Sequence, residues 1–402
     1  MNQVKGKSMS SRRRFLKGAA GAAALAAGGL HAPYILAQAS KVKVGFLLPY
    51  TGTYAKLGQA ITDAFKLHVN ENGGKLGGRT IEYVQVDSEA NPAKATDNTN
   101  RLVNLEKVDV IVGPVHSGVA AAMVRVTRES GTLTIVANAG AGAVTGALCA
   151  PNIFRTSFTN WQPAYPMGKV LADRGMKKAV TMTWKYAAGQ EAIGGFIENF
   201  KAHGGSIVKE LWVPFPKVEF QSLLTEIASL KPDAVFVFFA GGGAVKFVKD
   251  YAAAGLRASV PLFGSGFLTD GTLQAQGDAA QGLETTLHYG DSLILPKNLA
   301  FREMYSKAAG READVYAVQG YDAAQLLRIG LEAAKGDVKA MKTMIGAMES
   351  AQIDSPRGKF TLSKAHNPVQ DIYLRKVVGM ENKVESVAHK ALADPATGCK
   401  MA

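Results

Sequence analysis

From Lys41 onward the chain alternates short β-branched runs with longer stretches of helical spacing, and it does so twice. In the first half the strand-like runs are Val42 to Leu48, Thr80 to Val86, Val108 to Val112 and Leu133 to Ala137. Between them, Tyr54 to Asn72, Pro92 to Leu105 and Ser117 to Ser130 place apolar residues on one helical face. The second half repeats the rhythm, with strands at Ala179 to Thr183, Ile207 to Val213, Ala234 to Phe239 and Leu262 to Gly264. Its helices lie near Gly189 to His203, Phe220 to Leu230 and Gly242 to Ala254. Strands separated by helical stretches of this length predict βαβ units, hence two parallel sheets in series with helices on both faces. After Leu283 come a loop rich in His, Tyr, Gly and Asp, helices at Leu299 to Ala309, Val315 to Ala334 and Val338 to Ser350, and late strands at Gly358 to Leu362 and Ile372 to Val378. Strands arriving after a complete second sheet imply that the chain crosses back to finish both lobes.

Composition changes this picture at the N-terminus. The chain has 402 residues and a formal charge of +13. Lys5, Lys7, Arg12, Arg13, Arg14 and Lys17 supply six of those charges before residue 40, where no acid occurs. The remaining +7 is spread over a large chain without a run of five like charges, which argues against a nucleic-acid arm. A basic start, the small apolar stretch Gly18 to Leu30 and Ala37-Gln38-Ala39 are ordered as in an export leader covering residues 1–39. Arg12-Arg13 with Phe15-Leu16-Lys17 resembles a twin-arginine signal. The apolar stretch is too short for a membrane anchor, so the mature protein is expected in the periplasm from about Ser40. In that oxidising compartment Cys149 and Cys399 either form one disulfide or remain two buried thiols; we expect the disulfide.

Catalytic and metal-binding patterns are missing. The sequence has no Gly-x-x-x-x-Gly-Lys-Ser/Thr, no Gly-x-Gly-x-x-Gly after a strand and no Gly-x-Ser-x-Gly, and its seven His residues never fall at metal-ligand spacing. His116 beside Ser117 is the nearest thing to a nucleophile and base, yet neighbours on a tight turn point apart. No catalytic residue, metal or cofactor is expected. The informative stretch is Val108 to Val119, where a strand ends at Gly113 and Ser117 is positioned as an N-cap. The backbone N–H groups of Gly118 and Val119 would then face a carboxylate beyond the strand ends. Asn138, Ala139 and Gly140 end the next strand, and their small neighbours let a ligand approach the backbone.

Leu48 to Gly58, Asn70 to Gly78, Asp87, Gly113 to Ser117, Phe154 to Thr156 and Tyr316 to Ala324 together resemble the periplasmic solute-binding proteins of branched-chain amino-acid-type (Leu/Ile/Val-binding-like) ABC importers, over essentially the whole mature chain. The resemblance implies the α/β, type I periplasmic binding protein fold. Two Rossmann-like lobes, 40–158 plus 290–362 and 159–289 plus 363–402, would be joined by crossings near Ser157 to Asn160, Leu287 to Tyr289 and Leu362 to Pro368. It also implies a monomer that closes around a small carboxylate and presents it to a membrane permease, with no nucleic-acid partner. By position the family's carboxylate-holding serine falls at Ser117, while its threonine falls at Gly140, its ammonium-binding acid at or beside Gly266 and a tyrosine near Ala188. No acid lies closer in sequence to Gly266 than Asp270. An unpaired ammonium in a closed cleft costs several kcal/mol, and Tyr50, Tyr54, Trp161, Trp184, Tyr186, Phe267 and Tyr289 fall on segments expected to line that cleft. The expectation is therefore an aromatic acid such as a benzoate, with its carboxylate at Ser117 and its ring among Tyr54, Trp161, Tyr186, Phe267 and Tyr289; His116, Gly118, Asn138, Ala139 and Gly140 complete the site. A branched-chain or other neutral amino acid is the alternative ligand. A ligand-sensing receptor module and an exported enzyme are the alternative classes.

Overall fold

The computed structural model describes residues 41–402; the segment 1–39, expected from sequence to be an export leader, lies outside the described residues. Two sheets carry the fold. In the first, β1 (Val42–Leu48) pairs in parallel with β3 (Arg79–Asp87) and β4 (Val110–Val112), followed by β5 (Leu133–Val136) and β6 (Ile153–Arg155). The short β2 (Lys75–Leu76) lies antiparallel on β3. β1 is almost entirely buried, as expected of a parallel strand covered on both faces. Its helices are α1 (Ala55–Glu71), α2 (Pro92–Asn100), α3 (Ser117–Ser130) and the single turn α4 (Gly142–Thr145).

The second sheet begins after α5 (Trp161–Asp173). Its central strands are β7 (Lys178–Trp184), β8 (Ser206–Val213), β9 (Ala234–Phe238), β10 (Leu262–Ser265) and β11 (Glu284–Leu287), with α6 (Ala187–Ala202), α7 (Gln221–Leu230), α8 (Gly241–Ala253) and the short α9 (Leu273–Gln276) between them. The chain then returns through α10 (Pro296–Ala309), α11 (Val315–Ala333) and α12 (Met341–Glu349), of which α11 packs along α1. A Cβ on Gly320 would lie 2.2 Å from the Ile61 carbonyl, so only glycine permits that approach. β12 (Thr361–Leu362), β13 (Pro368–Val378) and β14 (Glu381–Leu392) finish the second sheet on its antiparallel edge. The tail after β14 goes back to the first lobe, where Cys399 pairs with Cys149 at a Cα separation of 5.5 Å. Residues 393–402, expected with the second lobe, are therefore bonded to the first.

The crossings between lobes carry buried arginines. Arg155 donates to the Phe158 and Ala141 carbonyls, and Arg357, paired with Asp322 at 3.2 Å, donates to those of Thr156 and Ser157. Arg375, paired with Asp270 at 2.6 Å, holds the carbonyls of Tyr289 and Gly266. Irregular backbone inside a protein must find such partners, and guanidinium forks reach several carbonyls at once.

Several elements differ from the sequence reading. Pro92 to Leu105 is an α-helix only to Asn100 and a π-turn over Arg101–Leu105. Ser117 is the first residue of α3; its N-cap is His116, whose imidazole accepts the Gly118 N–H at 3.0 Å. Trp161, expected on a cleft-lining segment, opens α5.

Candidate functional site

Each sheet reverses its direction of growth once, between β1 and β4 in the first and between β7 and β9 in the second. Such switch points leave a crevice at the carboxyl ends of the strands. The two crevices face each other across a small, narrow cavity. From the first lobe and the first crossing come Tyr54, Leu57, Val115, Asn138, Gly140, Phe158, Asn160 and, at the start of α11, Tyr316. Tyr186, Ala188, Phe238, Ala240 and Phe267 come from the ends of β7, β9 and β10.

The lobes are closed around this space. The Tyr54 and Tyr186 hydroxyls meet at 2.8 Å across the cleft, and Gly243 N–H donates to Thr53 Oγ1 at 3.2 Å. Burial holds both phenols neutral, well above their ordinary pKa. The rings form a continuous shell, with centroids 4.6 Å apart for Phe158 and Phe267, 6.1 Å for Phe238 and Phe267, and 6.1 Å for Phe267 and Tyr316. Among the described residues no charged side chain lines the cavity. Its polar groups are two carboxamides, the phenols and backbone. Asn138 donates to Gln319 at 2.6 Å, and Gln319 reaches the His288 ring at 3.1 Å. Asn160 Nδ2 donates to Ser117 Oγ at 3.2 Å and to Glu191 Oε2 at 2.7 Å. The Tyr316 hydroxyl, fully buried, has no partner among the described residues, a condition that usually marks a place for a ligand or a water.

The two glycines that the sequence resemblance sets against a threonine and an acid have physical counterparts. A Cβ on Gly140 would lie 2.4 Å from Asn160 Oδ1 and 2.6 Å from the Phe158 ring, so those two residues occupy the space a threonine would need. A Cβ on Gly266 would lie 2.3 Å from Arg375 Nη2 and 2.5 Å from Leu287 Cβ. An acid cannot be seated there without expelling the arginine.

Of the residues singled out from sequence, the structure brings Tyr54, Asn138, Gly140, Tyr186 and Phe267 to the cavity wall. Ser117 sits behind Asn160 rather than on the wall. The Gly118 N–H is engaged by His116, which burial keeps neutral with its pKa lowered to about 4 and which stacks on Tyr186 at 4.7 Å. Ala139 is buried, its N–H on the Pro114 carbonyl. Four aromatics expected at the cleft lie elsewhere; the Tyr50 hydroxyl meets Thr62 Oγ1 at 2.8 Å, and Trp184 donates its indole N–H to the Lys217 carbonyl at 2.8 Å. Trp161 packs between α5 and α6, its indole N–H on Glu198 at 2.9 Å, because the first helical turn rotates it away from the cleft. Tyr289 is buried in the second crossing with its hydroxyl on Asn298 at 3.0 Å. Sequence reasoning missed Phe158, Phe238 and Tyr316 as wall residues and Glu191 as an acid near the site. Phe238 follows the same strand-end rule that pointed to Phe267. Glu191 has no local signal, since it reaches the site from the middle of a helix.

The periplasmic binding protein family model matches residues 41–383. Leu/Ile/Val-binding protein homolog 6 of Brucella melitensis biotype 1 is 31% identical over 348 residues, 85% of this chain and 88% of that protein. A solute-binding protein of an ABC transporter from R. palustris, solved in complex with benzoate, is 54% identical and superposes with a TM-score of 0.88 over 90% of this chain and 100% of that one. A second, from Rhodopseudomonas palustris BisB5 with 3,4-dihydroxybenzoic acid, is 33% identical with a TM-score of 0.84, covering 88% of this chain and 99% of its own.

Proposed function

Since the chain belongs to the periplasmic binding protein family, a family of solute-binding proteins rather than enzymes, we propose that it captures an aromatic carboxylate of the benzoate class and delivers it to the permease of an ABC importer. The observation that carries this reading is the cavity itself: a shell of aromatic rings from both lobes with no charged side chain on its wall. Stacked and edge-on rings contribute roughly 0.5–1.5 kcal/mol per pair beyond area burial, whereas the ammonium of an amino acid would enter unpaired. The similar proteins with benzoate and 3,4-dihydroxybenzoate bound support the same class. The polar side of the wall, Asn138 with the Tyr316 hydroxyl, receives the carboxylate, and the ring lies among Tyr186, Phe238 and Phe267. The Tyr54 to Tyr186 contact forms only when the lobes meet, so ligand binding and closure draw on the same residues and shift the population together.

Native mass spectrometry of protein purified without refolding tests the assignment. A bound mass matching a benzoate or a close derivative is expected; a branched-chain amino acid in its place contradicts it. Delivery as a monomer from the periplasm completes the proposal, with the leader acting as a twin-arginine address. Arg12→Lys with Arg13→Lys should then hold the precursor in the cytoplasm, and normal periplasmic yield of that double variant would refute the address.

A further inference from the structure

Glu191 lies on the fifth residue of α6, in the second lobe, and its carboxylate ends in the first. Oε2 accepts the backbone N–H of Gly142, at the start of α4, at 3.0 Å and Asn160 Nδ2 at 2.7 Å. Asn160 stands in the first crossing, lines the ligand cavity and is fixed on its backbone side by its own N–H on the Gly140 carbonyl at 2.7 Å. We infer that Glu191 is a positioning residue for ligand capture: it latches the second lobe to the α4 turn of the first and fixes the orientation of the Asn160 carboxamide in the cavity wall.

The hydrogen-bond inventory makes the orientation directional. A carboxylate accepts only, so the Asn160 amide must turn its nitrogen toward Glu191. That nitrogen's second proton goes to Ser117 Oγ at 3.2 Å. Both amide protons are then used, and Oδ1 is left over the bare face of Gly140, where no side chain could follow it. Ser117 Oγ lies behind the wall and holds the Asn160 amide in place from there. Glu191 therefore acts on the ligand through Asn160 without touching it. Burial raises its pKa, while the two N–H donors and nearby Arg155 pull it back toward the charged form. The bond to Gly142 spans elements that separate when the lobes part, so its loss should accelerate release more than it slows capture.

The orientation part of this inference rests on the carboxylate reading; the latch does not. The test compares Glu191→Ala and Glu191→Gln with wild type by stopped-flow binding of benzoate, 4-hydroxybenzoate and isoleucine. Each variant is scored against wild type for whichever probe wild type binds, so binding of isoleucine alone overturns the ligand class without obscuring the latch. Glu191→Ala should weaken binding roughly tenfold or more, nearly all in the off-rate, since charge-assisted bonds across a closing interface are worth about that factor. Glu191→Gln, whose carbonyl oxygen accepts the same two N–H groups, should recover affinity to within about threefold. With a saturating probe bound, hydrogen exchange of the segment around Gly142 should be faster in Glu191→Ala than in wild type. Wild-type affinity in the alanine variant, a loss in the glutamine variant as large as in alanine, or equal exchange at Gly142 would each overturn the inference.

Discussion

The cavity wall and the layer directly behind it are built on opposite principles. The wall holds rings, two carboxamides and no charge. One residue further back, Arg375 and Asp270 are both completely buried and paired at 2.6 Å, and Arg357 and Asp322 likewise at 3.2 Å. Gly266 stands in the layer behind, where a Cβ would run into Arg375 and Leu287. The contrast teaches where a binding protein of this architecture keeps its charge. An acid on the wall would select an ammonium, whereas an acid behind the wall, neutralised by an arginine that also holds the crossing carbonyls, leaves the wall free to select a flat apolar ring.

Breaking the layer behind should have the largest effect. Arg375→Met strands the Asp270 carboxylate and two backbone carbonyls, and removing one partner of a buried pair typically costs about 3–5 kcal/mol. Urea denaturation should show that loss, and a loss under 1 kcal/mol would mean the pair is not structural. A second effect comes from His116, which also stands behind the wall. Its pKa is lowered to about 4 by burial, so between that value and about 6.5 the unfolded chain binds the extra proton and stability falls as pH falls. The contribution at stake approaches about 3 kcal/mol at 1.36 kcal/mol per unit. His116→Asn keeps an N-cap without the titration. The stability advantage of wild type over that variant should shrink from pH 6.5 to 4, and a pH-independent difference would contradict the neutral, acceptor role of the ring.

Two smaller changes sharpen the contrast at the wall. Gly266→Glu restores an acid at the family's position but forces it onto Arg375 and Leu287. It should cost roughly 1–3 kcal/mol as an overpacked site without conferring isoleucine binding, as thermal-shift measurement can establish. A Gly266→Glu protein stabilised by isoleucine would show that the wall, not the layer behind, sets the ligand class. Tyr54→Phe removes only the hydroxyl that meets Tyr186 across the cleft. It should weaken ligand binding by about 1 kcal/mol, a factor of five or so, with little change in the stability of the ligand-free protein. An equal loss in stability would assign that contact to folding.

Much of the fold was legible in the sequence because parallel strands buried on both faces appear as apolar runs, and helices between them keep their period. Elements that break those rules were missed. Helix α5 carries Pro163 and Pro166, β11 is a Thr-rich strand of four residues, and β14 is mostly polar because one face of it looks outward. At the site, strand-end logic reached Tyr54, Asn138, Gly140, Tyr186 and Phe267, which the structure brings to the cavity. It failed for Trp161 and Tyr289, because being near a strand end does not fix where a side chain turns. It was silent on Glu191 and on Arg375 behind Gly266, since both act from segments far away in sequence.

The central claim is that the uncharged aromatic wall selects a benzoate-class acid over an amino acid. Isothermal titration of the mature, ligand-stripped protein with benzoate and with isoleucine tests it most directly. Saturable binding of benzoate, with isoleucine at least 100-fold weaker, is the predicted result: tenfold corresponds to about 1.4 kcal/mol, and stranding an ammonium in this cavity costs several times that. Tight binding of isoleucine with no heat from benzoate would contradict the account.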